Sequence, residues 1–325
     1  ARLRWTSRLF LRAALPHPKR LRMGAQIVRA YQRIGLQKLV RKSQILRLVP
    51  GPLSNLEAQI PKFDGPFFGP SEITYPARSE KKLTVGLLSG CVMPLMQGGT
   101  MAATVRVLTR NGCDVVVPVG QGCCGALNLH SGDLEMARRM ARINIDIFLA
   151  AGVDQIVTSS AGCGSNMKEY HELLEDDPTY AEPARRFAEL TKDITEILVS
   201  LPFDPPTAPL NRKVTYQDPC HLVHAQRISS QPRVILNAIP GLELVEMEQS
   251  SMCCGGAGVY SAVQPDLSAK ILDAKMDNIA DTGASQVVTA NPGCMAQIEQ
   301  GLLRMGTPSK VLHVVDLLDE AYQAE

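Results

Sequence analysis

The 325-residue chain holds a single Trp, and aromatic residues make up only 5% of it. It has no run of eighteen uninterrupted apolar residues, so no membrane-spanning helix is predicted. Its start lacks the compact charged-then-apolar pattern of a secretory signal. Asp and Glu are absent from the first 50 residues, which carry thirteen of the 34 Lys and Arg. The remaining 275 residues hold 21 basic side chains against all 32 acidic ones. The net charge of +2 therefore conceals a basic arm and an acidic body. No C-x-x-C pair occurs either, which counts against the paired knuckles of most structural zinc sites.

What the chain does have is nine cysteines: Cys91, Cys113, Cys123, Cys124, Cys163, Cys220, Cys253, Cys254 and Cys294. An odd count and adjacent pairs, whose bridging would strain the peptide, fit a secreted disulfide framework poorly. In a reducing, cytoplasmic setting, clustered cysteines read as metal ligands or catalytic thiols.

Hydrophobic periodicity divides the chain into an arm and two repeats. Residues 1–49 pattern as amphipathic helix, with Ile27, Tyr31, Ile34 and Leu39 between basic residues. Residues 50–80 are rich in Pro and Gly and read as a linker or an irregular strap. Strands are predicted at 83–91, 113–120 and 155–160, with helices at 97–111, 132–151 and near 182–199. The order then returns: strands at 213–220, 242–248 and 286–294, helices near 226–239 and 266–283, and a further helix after 294. VLHVVDLLDEAY closes the chain as a short strand and helix. Strand–helix alternation of this kind favours parallel sheets with right-handed crossovers. The expected fold class is α/β: two pseudo-symmetric Rossmann-like repeats with mostly parallel sheets, preceded by a basic helical arm. The expected domains are 1–80, 81–205 and 206–325.

The cysteines carry the same repeat. Cys91 to Cys123 is 32 positions and Cys220 to Cys253 is 33; Cys124 to Cys163 is 39 and Cys254 to Cys294 is 40. Each Cys-Cys pair falls in the loop after the second strand of its repeat. Cys91, Cys163, Cys220 and Cys294 each follow a strand. Loops at the carboxyl ends of parallel strands converge on one crevice, so each repeat should gather four thiols, the ligand count of an iron–sulfur cluster. Flanking glycines permit close backbone approach, and aimed N–H groups offset negative charge on sulfur. Cys113 has no repeat partner and reads as a small core residue. Four thiolates also suit structural zinc, and a thiol redox centre at each Cys-Cys pair is a third reading, which leaves Cys91 and Cys220 idle.

The stretches SGCVMPL, QGCCGAL, AGCGSNMKEY, YQDPCHL, MCCGGAGVY and NPGCMAQI resemble the cysteine-rich CCG domain family. That family includes the cysteine-rich subunit of heterodisulfide reductase and iron–sulfur subunits of lactate-utilising, glycerol-3-phosphate-oxidising and glycolate-oxidising complexes; the likeness is greatest to the last. It covers about 83–305, and residues 1–80 resemble the basic connecting region of the same subunits. The resemblance implies one or two 4Fe-4S clusters held by Cys91, Cys123, Cys124 and Cys163, and by Cys220, Cys253, Cys254 and Cys294, with no catalytic residue in this chain. It implies flavin-containing glycolate oxidase subunits as partners, a quinone or membrane acceptor, and peripheral placement on the inner face of the cell membrane. The fullest family motif ends in C-x-x-C; here Asn166 and Gln297 stand at the last position, beside the clusters. No C-x-x-C-x-x-C-x-x-x-C-P run of a ferredoxin-like domain occurs, so the chain resembles a truncated form.

His221 and His224 follow Cys220 and read either as groups tuning a cluster or as surface imidazoles. Asp218 reads as a turn former or cap; His130 and Lys168 read as solvated. The basic arm, Arg-rich and free of acidic residues, suits a partner subunit, an anionic membrane surface or a targeting peptide, with docking favoured because an electron-transfer subunit must touch donor and acceptor. Nucleic acid is not expected, because no aromatic-interleaved basic motif accompanies the arm.

Overall fold

A computed structural model describes residues 11–43, 63, 65–307 and 309–325. The expected arm at 1–10 and 44–49, and much of the Pro/Gly-rich stretch, lie outside the described residues. The arm's described part forms α1 (Pro18–Arg33) and α2 (Leu36–Ser43). Pro18 opens α1, where its missing N–H and fixed φ cost nothing.

The first repeat runs β1 (Thr74–Tyr75), β2 (Leu83–Leu87), α3 (Gly98–Arg110), β3 (Cys113–Val116), α4 (Leu134–Ala150), β4 (Gln155–Thr158), α5 (Ala161–Lys168), α6 (Ala181–Leu190), β5 (Thr191–Asp193) and α7 (Ile194–Ser200). The second runs β6 (Arg212–Tyr216), a π-helical turn (His221–Ala225), α8 (Ser230–Asn237), β7 (Leu242–Val245), α9 (Pro265–Asp281), β8 (Gln286–Thr289), α10 (Pro292–Met305), β9 (Lys310–His313) and α11 (Val314–Gln323).

The sheets are ordered β1-β3-β2-β4-β5 and β7-β6-β8-β9. All pairings are parallel except β1 with β3. The α/β class with two mostly parallel sheets is thus observed. Apart from the edge strand β1, each repeat starts at an inner strand, β2 or β6, pairs it on one side, then crosses to the other. That reversal opens a crevice at the strands' carboxyl ends. Strand interiors are apolar, as helices on both faces require: Val85, Leu87, Val157, Val214, Tyr216 and Val288 have no exposed surface.

Three local expectations fail. The helix near 182–199 is interrupted by β5, because Thr191 and Asp193 are buried alongside Ile156–Thr158 and their backbone pairs there. The irregular strap contributes β1, a two-residue antiparallel edge. The helix from 226 starts at Ser230, after Arg227 takes a left-handed φ of 57°.

The repeats share one core. Val85, Leu108, Leu198, Val214, Leu236 and Leu318 belong to a single apolar cluster. Helix α11, which ends the second repeat, packs on α3 of the first; α7, which ends the first, packs on α8 of the second. The exchange is matched at the caps, where Asp193–Glu196 and His313–Asp316 each form a capping box. Across the join, Arg106 binds Asp319 in a fork at 2.9 and 2.7 Å. His313 Nε2 lies 2.9 Å from the Ser159 carbonyl.

A candidate thiol site between the repeats

The cysteines are positioned by the loops that the crevice collects. Cys91 lies beyond the end of β2. Cys123 and Cys124 sit between β3 and α4, and Cys163 lies in the first turn of α5. Their counterparts follow suit: Cys220 leads into the π-helical turn, Cys253 and Cys254 sit between β7 and α9, and Cys294 lies in the first turn of α10. All eight line one cavity of about 280 Å³ between the repeats. The spacing argument gathered four thiols per repeat; the packing of the repeats turns both quartets toward the same space. Cys113 is fully buried in the core cluster, away from this cavity, as its reading required.

Within each quartet neighbouring sulfurs act on one another's ionisation in a chain. Cys91 and Cys123 act on each other, as do Cys123 and Cys124, and Cys124 and Cys163. Cys220, Cys253, Cys254 and Cys294 repeat the pattern. Neighbouring sulfurs hold Cys123, Cys163, Cys253 and Cys294 below the ordinary thiol range and push Cys91, Cys124, Cys220 and Cys254 above it. Two sulfurs of each quartet are thereby favoured as thiolates, the form that binds metal. Among the described residues, no three His, Cys, Asp or Glu side chains converge where a single metal ion would sit.

Backbone donors repeat too. Gly125 N donates to Cys123 Sγ at 3.5 Å, and Gly255 N to Cys253 Sγ at 3.3 Å. Both glycines adopt the left-handed region, at φ 88° and 86°, which turns the N–H back toward sulfur. Asn291 was not anticipated. Its Nδ2 donates to Cys294 Sγ at 3.4 Å while its Oδ1 accepts Gly162 N at 3.1 Å, so it ties a sulfur of one repeat to the first turn of α5 in the other. The available signal was its place ahead of Pro292 at the start of a helix.

Asn166 and Gln297 brace the loops rather than the sulfurs. Asn166 Nδ2 and the Tyr170 hydroxyl both donate to the Cys124 carbonyl at 2.7 Å. Gln297 Nε2 donates to Ser268 Oγ at 3.1 Å, and Ser268 in turn donates to the Gly255 carbonyl at 2.9 Å. Of the two histidines, His221 lines the cavity, with Nδ1 3.5 Å from Cys220 Sγ. His224 is exposed, and its Nε2 sits 3.3 Å from the Ser251 carbonyl, outside the cavity lining. His130 is exposed, as expected, and stands at the cavity lining with its ring 5.7 Å from that of His221. Partial desolvation and the neighbouring His221 hold His130 below the ordinary imidazole range. Lys168 binds Glu196 at 2.6 Å, and Asp218 is buried in a fork with Arg233 at 2.9 and 2.8 Å rather than making a turn.

The arm reaches the first quartet. Leu11 and Leu15 are buried with Cys123 and Met140, beside Cys91, and Arg12 forks onto Asp133 at 2.7 and 2.6 Å. Among the described residues no helix is long and apolar enough to cross a membrane.

Comparison with known proteins agrees with this arrangement. The cysteine-rich domain family matches residues 85–168 and 214–299, and the linker region of the glycolate oxidase iron–sulfur subunit matches residues 2–60. The probable glycolate oxidase iron–sulfur subunit of Bacillus subtilis is 42% identical over 94% of this chain and 70% of its own length. The glycolate oxidase iron–sulfur subunit of Escherichia coli is 34% identical over 75% of this chain. The chain spans only 59% of the length of that relative. A crystal structure of a hypothetical protein from Helicobacter pylori shares the fold, with a TM-score of 0.56 at 13% identity, over 79% of this chain and 52% of that one.

Proposed function

The chain belongs to the cysteine-rich CCG domain family that includes the glycolate oxidase iron–sulfur subunits, and we propose that it is the electron-transfer subunit of a glycolate-oxidising complex. The observation that carries this reading is the convergence of eight cysteines: two quartets of thiols, each met by a backbone N–H group, lining one cavity. Such a donor set fits an extended inorganic core better than one ion. Cys91, Cys123, Cys124 and Cys163 hold one cluster; Cys220, Cys253, Cys254 and Cys294 hold the other. When bound, the clusters supply one-electron storage. Gly125, Gly255 and Asn291 offset charge on sulfur.

In the complex, flavin subunits take two electrons and two protons from glycolate, giving glyoxylate. This chain accepts the electrons singly and passes them toward a membrane acceptor, binding no substrate carbon itself. The arm, with α1 and α2, provides the docking face for its partners.

Iron, sulfide and zinc analysis of the anaerobically purified chain tests the reading, with paramagnetic resonance after reduction. About eight irons with matching sulfide are expected for two four-iron clusters. Zinc without sulfide makes the chain a structural scaffold instead. With clusters loaded, reduction by glycolate in the presence of the flavin subunits, and not by lactate or glycerol 3-phosphate, fixes the substrate.

A further inference from the structure

The two quartets are not equivalent, because a lysine is buried beside the second. Helices α4 and α9 are the same length, 17 residues, and correspond turn for turn. The eleventh residue is Asn144 in α4 and Lys275 in α9. Each braces the loop that carries its Cys-Cys pair. Asn144 accepts Gly122 N and donates to the Cys123 carbonyl, both at 3.0 Å, using a neutral amide. Lys275 is fully buried and donates to the Gln249 carbonyl at 2.7 Å, the Ser250 carbonyl at 3.1 Å and Met247 Sδ at 3.8 Å. Three acceptors match the three N–H groups of an ammonium, one more than a neutral amine offers. Gln249 is held in the left-handed region, φ 49°, which an L residue adopts at a cost.

A buried ammonium needs a counter-charge. Among the described residues, no carboxylate lies within ion-pair distance of Lys275. Asp218, the one carboxylate whose charge acts on it, is committed to Arg233. Burial pushes Lys275 below the ordinary ammonium range, and the other charges that oppose this shift are sulfurs of the second quartet, Cys254, Cys253 and Cys294. Among the described residues no cation is buried beside the first quartet: Arg12 is bound to Asp133 and Lys168 to Glu196, and Lys19, Arg20 and Arg22, which share a cavity with Cys91 and Cys123, are exposed.

We propose that Lys275 sets the second cysteine quartet as the site of higher electron affinity, so that electrons entering this chain settle there, with the first quartet uphill. The inference rests on the cluster-binding reading above. Lys275 acts through charge and touches no ligand sulfur, which makes it a positioning residue.

The test is a redox titration of the holoprotein followed by paramagnetic resonance, with Cys124→Ser and Cys254→Ser assigning the two signals. The second cluster is expected to reduce at the higher potential. Lys275→Asn, which copies the first repeat, should lower its reduction equilibrium about tenfold or more, about 59 mV for one electron, and leave the first cluster unmoved. Lys275→Arg should retain the wild-type value. Equal potentials in the wild type, or a Lys275→Asn protein with full iron and an unshifted second cluster, overturns the proposal. So does a wild-type chain loaded only in its first repeat. If Lys275→Asn loses its second cluster, the order of the two wild-type potentials decides. Absence of iron and sulfide altogether sinks the cluster reading itself, a distinct result.

Discussion

The paired glycines that face sulfur give a sharp test, because their backbones match and their surroundings differ. Gly125→Ala and Gly255→Ala each place a Cβ on a left-handed residue, at φ 88° and 86°. That strain costs about 1–2 kcal/mol, partly offset by about 0.5–1 kcal/mol from a less flexible unfolded chain. At Gly125 the new Cβ would lie 3.4 Å from Ala137 Cα and O, an ordinary contact, so a net loss of about 1 kcal/mol is expected. At Gly255 it would lie 2.6 Å from the Ser268 carbonyl oxygen, a backbone atom of α9 that cannot rotate away. Overpacking of this kind adds about 1–3 kcal/mol, for a total near 2–4 kcal/mol. Urea titration of the metal-free chain measures both variants at unchanged m-value. Iron analysis should then show the second repeat loading less fully in Gly255→Ala. Equal losses at the two positions, or a gain at either, would refute the reasoning that Ser268 and not the φ angle makes the difference.

Other expectations follow from single groups. Burial pushes the Asp193 carboxyl up to about 6 against an ordinary 3.8; the folded state binds this proton more tightly, so stability should be greatest below pH 4, fall by about 3 kcal/mol between pH 4 and 6, and stay level above. In Asp193→Asn, which retains an acceptor for Thr195 N, urea titrations across that range should lose this slope; an unchanged slope would assign it elsewhere. Cys113, whose thiol burial pushes up to about 11, should be dispensable: Cys113→Ala keeps the full iron content and costs about 1 kcal/mol, and a loss of iron would add a ninth ligand. Leu15→Asp should uncover the first quartet, so that iron bleaches faster in air from that repeat than from the second; equal bleaching rates would separate the arm from the site.

Much of the fold could be read without coordinates, and for a definite reason. Parallel strands buried on both faces are continuous apolar runs, and LTVGLL and KVTY show this directly. Their alternation with helical periods fixes the class. What escaped were elements whose formation depends on a distant partner. Strand β5 is three residues, Thr191–Asp193, and exists because β4 offers it an edge; β1 depends likewise on β3. The same limit hid Asn291, whose two contacts lie in different repeats, and the approach of the His130 ring to His221 of the second repeat.

The sequence by itself determined the number and grouping of the thiols, because strand and helix lengths set how far apart loop cysteines fall, and 32 against 33 and 39 against 40 positions leave one register for both repeats. Only the tertiary structure decided that the quartets share a cavity, since that follows from the exchange of α7 and α11 between repeats, a packing choice with no local signature. The structure alone likewise made Lys275 significant. A lysine in an amphipathic helix reads as solvated until the fold closes a loop over it and leaves sulfur as its counter-charge.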